Sequence, residues 1–94
     1  MSDIAALWAV HRDSGYPRIA GPNAGELMTL DTVICGAITH YLDSEQGLDS
    51  QRVDMLQDCM KELNDLMPEL DEAAAAYFER LYELALLLVA VHRR

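Results

Sequence analysis

The stretch LDEAAAAYFERLYELALLLVAV, residues 70–91, decides the fold. Its apolar residues recur at Leu70, Ala74, Tyr77, Leu81, Leu84, Leu88 and Val91, in steps of four and three. On a helix that rhythm puts all of them on one stripe. Two further stretches repeat it: Leu27, Leu30, Ile34, Ala37, Tyr41, and Val53, Leu56, Met60, Leu63, Met67. The pattern predicts three long amphipathic helices, preceded by a short one. The expected fold is all-α, a small antiparallel helical bundle.

The 94 residues fit one domain, 1–94. Residues 1–25 hold the short helix and a Gly/Pro-rich connection, and 26–94 the three-helix core. Ser2 is a candidate cap for a first helix over about Asp3–Asp13, with Ile4, Leu7, Trp8 and His11 on its apolar face. The segment Gly15–Gly25 holds three of the five glycines and two of the three prolines, and breaks the helical pattern. Helix two is expected over about Gly25–Leu42, capped by Asn23. Asp49 or Ser50 caps helix three, and with Asp49 as cap, Leu48 and Val53 occupy the hydrophobic-staple positions. Pro68 ends helix three and opens helix four, whose first turn then carries Glu69, Asp71 and Glu72. Helix four, about Glu69–His92, is about 36 Å long against about 26 Å for its neighbours, so one end should outrun them by about 10 Å.

The net charge is −9, sixteen acids against seven bases. That field disfavours nucleic acid and anionic membrane as partners. The longest unbroken apolar run, Leu84–Val91, is too short for a span of about 20 residues. No signal peptide precedes the first helix. Cys35 and Cys59 show no CxxC or other metal-ligand spacing and read as reduced thiols, so the expected location is the cytoplasm. His11, His40 and His92 form no HxxxH, HExxH or ExxH. His11 reads as a satisfied core histidine and His92 as a helix-end cation. Asp31, near the apolar arc of helix two, is either a first-turn acid serving the dipole or a partly buried general acid. No catalytic residue, metal ligand or cofactor site is assigned, and the chain is expected not to be an enzyme.

Three surfaces carry the functional expectations. The first is uncharged. Thr32, Gly36 and Thr39 line the back of helix two, where small residues let another helix approach. That face equally suits a central helix packed on two sides. At the far end of helix four, Leu86 and Ala90 continue the line of Glu72, Glu79 and Glu83, with Leu87 beside them. Either the first helix or a second copy must cover this end. These six residues, Thr32, Gly36, Thr39, Leu86, Leu87 and Ala90, are the expected self-association face of a homodimer.

The second surface is the acidic stripe Asp54, Asp58, Glu62 and Asp65 of helix three, either solvated or docking a basic partner as an inhibitor or immunity-type protein would. The third is the Gly15–Gly25 connection, where Arg12, Tyr16 and Arg18 are candidate contacts for a small anionic ligand. The leading expectation is a non-catalytic protein–protein interaction module, with the inhibitor second and a ligand binder or small enzyme third.

Overall fold

A computed structural model describes residues 4–44 and 47–92. They form α1 (Ile4–Ser14), α2 (Ala24–Asp43), α3 (Ser50–Leu66), a 3-10 turn (Met67–Glu69) and α4 (Glu72–His92). No strand occurs among the described residues. The proposed cap Ser2 lies outside them.

The heptad lines are the core. Leu27, Leu30, Ile34 and Ala37 of α2, Val53, Leu56, Met60 and Leu63 of α3, and Ala74, Tyr77, Leu81, Leu84 and Leu88 of α4 are all buried. Tyr41, Met67, Leu70 and Val91 pack at the margins. Phe78, Ala85 and Val89 are buried beside the α4 line, as is Ile38 beside that of α2. The wider stripe on α4 has a cause: α1, α2 and α3 all pack against it. Thus α4 is the central helix, and α2 is packed by α3 and α4 on one side only.

The direction of each helix follows from its neighbours at the ends. Asn23 before α2 meets Glu69 before α4, its Nδ2 donating to Oε2 at 3.2 Å. At the opposite end Tyr41 of α2, Leu48 before α3, and Leu88, Val91 and His92 of α4 line one hollow. So α2 and α4 run the same way, with α3 antiparallel to both. Helix α1 runs against α4: its first turns meet Glu83 and Leu87, while His11 and Ser14 reach Tyr77 and Arg80.

Asp49 caps α3, accepting from the Arg52 backbone N–H at 2.8 Å. Leu48 and Val53, the staple positions, are both buried. Two boundaries differ from expectation. Asn23 makes no side-chain cap bond: its backbone, at φ −95° and ψ 4°, is not in the extended cap conformation, and its Nδ2 donates to Glu69 instead. Pro68 does not open α4. It sits in the 3-10 turn, Leu70 turns extended, and Asp71 caps α4 by accepting from Ala74 N–H at 2.9 Å. Helix four therefore begins at Glu72 and has 21 residues against 20 in α2. Since α3 has 17 residues, the expected overhang of about 10 Å shrinks to about 1.5 Å over α2 and about 6 Å over α3.

Candidate functional site

Three helices converge on one buried polar cluster. From α2, Asp31 and Cys35 stand one turn apart, as i and i+4 must. From α4, Tyr77 donates its hydroxyl to Asp31 Oδ1 at 2.5 Å. The Cys35 thiol contacts the same oxygen at 3.5 Å. From α1, His11 enters the core with 2% of its surface exposed. Its ring packs on Tyr77 with centroids 4.2 Å apart and near Trp8 at 6.1 Å. Tyr16, just beyond α1, sets its ring edgewise against Tyr77 and Phe78 at 5.4 and 6.1 Å.

Hydrogen bonding in the cluster is lopsided. Asp31 is well supplied with donors, yet neither nitrogen of His11 has a partner among the described residues, nor does Nε of Arg80. The expectation of a satisfied core histidine is therefore corrected: the aromatic wall around His11 offers its ring nitrogens no acceptor or donor. Arg80 engages Ser14 Oγ at 2.8 Å through a terminal nitrogen. Burial, and then the Arg80 charge, hold the His11 imidazole below 6.5, against an opposing pull from Asp31. Burial and the adjacent Asp31 push the Cys35 thiol up to about 12. The same causes raise Tyr77. At neutral pH this is a neutral imidazole, a protonated thiol and a protonated phenol.

The uncharged surfaces lie in the open. Thr32, Gly36 and Thr39 are exposed on the back of α2. A Cβ on Gly36 would meet nothing within 4 Å. Thr29, Thr32 and Thr39 each donate their hydroxyl to a carbonyl four residues back, at 2.8–3.1 Å. This face is therefore not the second packed side of a central helix; that role falls to α4.

At the far end of α4, Leu86 is 48% exposed and Ala90 is exposed, while Leu87 is half-buried. Helix α1 lies beside this end without closing it. Ala6, Leu7 and Val10 form one wall of an open apolar groove, and Glu83 and Leu87 the other. Val10 is 56% exposed.

Asp54, Asp58, Glu62 and Asp65 are all exposed. None enters an ion pair among the described residues, where Arg52 pairs with Asp49 at 2.8 Å. The trio Arg12, Tyr16 and Arg18 is not gathered at the connection's hollow. That hollow is walled by residues 19–23, Leu27, Leu66, Glu69 and Leu70. Arg12 and Arg18 are exposed, whereas the Tyr16 ring turns onto the aromatic cluster. Cys35 and Cys59 are both free. No helix among the described residues is long and apolar enough to cross a membrane.

Sequence reasoning singled out Asp31 but missed its company. The available signal was the Asp31-x-x-x-Cys35 spacing, one helical turn, together with a histidine on the apolar face of another helix. No family model matches the chain, and neither a curated protein nor a solved structure does.

Proposed function

We propose that this chain is a non-catalytic protein–protein interaction module that pairs with a second copy of itself. The observation that carries the reading is the exposed apolar end of α4 and α1, Leu86 with Val10, on a chain of net charge −9. An isolated exposed leucine is ordinary. Here Leu7, Val10 and Leu87 line one open groove beside Glu83, and Leu86 and Ala90 follow one and two turns beyond Glu83, where the charged back line of α4 stops. An antiparallel pairing of two α4 helices centred on Leu86 and Leu87 joins like surfaces, as two-fold symmetry requires. It also directs Glu83 of one copy toward the last turn of the other's α4, which carries His92.

The size of the effect is modest. Covering a side chain fully contributes about 1.5–3 kcal/mol, and Leu86 and Val10 are already about half covered. Two such residues from each copy supply about 3–6 kcal/mol. Association costs about 4–15 kcal/mol. The α4 end alone thus gives a weak pair. The back of α2 is a separate uncharged contact for a second copy: Thr32 and Thr39 have no free hydroxyl hydrogen to desolvate, and Gly36 permits close approach.

Equilibrium sedimentation at micromolar concentration tests the reading. A mass above 10.5 kDa, reduced to the single chain by Leu86→Glu with helicity kept, supports it. A single chain at every concentration overturns it.

A second reading, the acidic inhibitor, is supported by the exposed and unpaired state of Asp54, Asp58, Glu62 and Asp65. It expects a basic protein partner whose binding is lost when all four are changed to their amides. Binding that survives those four changes rules it out.

A further inference from the structure

We propose that His11, Asp31 and Cys35 form a binding site for a single borderline-soft divalent metal ion, zinc foremost. The coordinating atoms of the three residues lie within 4.8 Å of one another. Their chemistry is one imidazole nitrogen, one carboxylate oxygen and one sulfur, a set that suits zinc and disfavours calcium or magnesium, which want oxygen alone.

The geometry is close to what a tetrahedral ion needs. With Zn–S about 2.3 Å and Zn–O about 2.0–2.2 Å, the sulfur–oxygen edge of the tetrahedron is about 3.5 Å. Cys35 Sγ and Asp31 Oδ1 are 3.5 Å apart. Their i, i+4 spacing on α2 is the spacing by which paired ligands on a single helix bind zinc. His11 has only to close by about 1 Å, within reach of a small side-chain rotation.

An independent observation points to a ligand. His11 is 2% exposed, and neither ring nitrogen has a hydrogen-bond partner among the described residues. A buried imidazole without partners is costly, and an apolar side chain would fill the space more cheaply. Coordination supplies the missing partner to one nitrogen. Burial and Arg80 also keep the ring neutral, the form that binds metal.

The ligand charges match those of the ion, with the nearby Arg80 cation left opposing it. The ion displaces the thiol proton from Cys35, which leaves to solvent, and a sulfur–metal bond forms as the S–H bond breaks. Asp31 and the new thiolate together offset the two positive charges, and His11 adds none. Arg80 stands nearby, with its terminal nitrogen engaged by Ser14 Oγ at 2.8 Å. Tyr77 keeps its bond to Asp31 Oδ1 and acts behind the ligand as an orienting donor. Three protein ligands leave a fourth position for a small molecule such as water.

Cobalt(II), titrated into the full reduced and metal-stripped chain, is the probe, because its spectrum reports geometry and sulfur ligation separately. The expected result is saturation at one equivalent, with tetrahedral ligand-field bands and a near-ultraviolet thiolate-to-cobalt band, both abolished by one equivalent of zinc. Cys35→Ala and Asp31→Asn should lose the bands, and Cys59→Ala should keep them. Tyr77→Phe should keep them with affinity weakened about 10–100-fold. Zinc should also raise the thermal midpoint of the native chain and not that of Cys35→Ala. Helicity measured alongside shows that each variant is folded. A folded native chain without the bands, or a folded Cys35→Ala chain that still shows the thiolate band, overturns the proposal.

Discussion

Tyr77 illustrates how much one atom can carry in a core this small. Its ring fills the space between α1, α2 and α4, and its hydroxyl supplies a donor to Asp31 at 2.5 Å. Tyr77→Phe keeps the ring and removes the donor, so the partly buried carboxylate loses a charge-assisted bond. The expected cost is about 1–3 kcal/mol, read as a lower urea midpoint with unchanged slope. His11 supplies a second prediction at this scale. Its folded-state pKa is below 6.5, with burial the largest cause, Arg80 adding to it and Asp31 opposing. The unfolded chain therefore takes up a proton near 6.5 that the folded chain refuses. Stability in the presence of a chelator should be full above pH 6.5 and fall as pH drops from there through the lower folded value. His11→Phe should flatten that part of the curve, and an unchanged slope would show that His11 does not titrate as its burial implies. The cluster was only partly legible beforehand. Helical periodicity placed His11 and Asp31 on their own helices, but which rings and atoms meet depends on how α1 docks across α4. No period within a single helix carries that information.

The helices themselves were legible because burial repeats every three or four residues, and every core position of the three seams is buried or at the margin. Leu81 is the plainest case, with 0% exposure at the centre of α4. Leu81→Ala should cost about 2–5 kcal/mol by chemical denaturation, and a loss below about 0.5 kcal/mol would mean the surrounding core closes over the cavity. Boundaries were less legible. At the α3–α4 junction several local signals compete: Pro68, Glu69, Asp71 and Glu72 each suit a first turn. The structure divides them, giving Pro68 to a 3-10 turn and the cap to Asp71. At the start of α2 the chain arrives with Asn23 outside the extended cap conformation and its Nδ2 turned to Glu69, so the local preference for a cap is not realised. Long-range partners decide such ends, and a helix-by-helix reading has no access to them.

At the scale of the whole molecule the decisive fact is that α4, not α2, is central. A helix that contacts three others needs a wide apolar arc, which explains Phe78, Ala85 and Val89 beside the seam. It also explains why the uncharged back of α2 faces outward. The chain then presents exposed apolar residues on α1 and the end of α4, an uncharged small-residue face on the back of α2, and an acidic stripe on α3. Salt separates their roles. Two copies of a chain with net charge −9 repel each other. Raising ionic strength from 0.1 M to 1 M shortens the Debye length from about 10 Å to about 3 Å and removes most of that repulsion. Pairing through these uncharged residues, Leu86 and Val10 foremost, should therefore tighten with added sodium chloride, seen as a rise in sedimentation-derived mass at fixed protein concentration. Docking of the Asp54–Asp65 stripe on a basic partner rests on attraction, so the same salt should weaken it and slow its on-rate. Self-association that weakened with salt would place the contact on charged surfaces and rule out the apolar end of α4 as its basis.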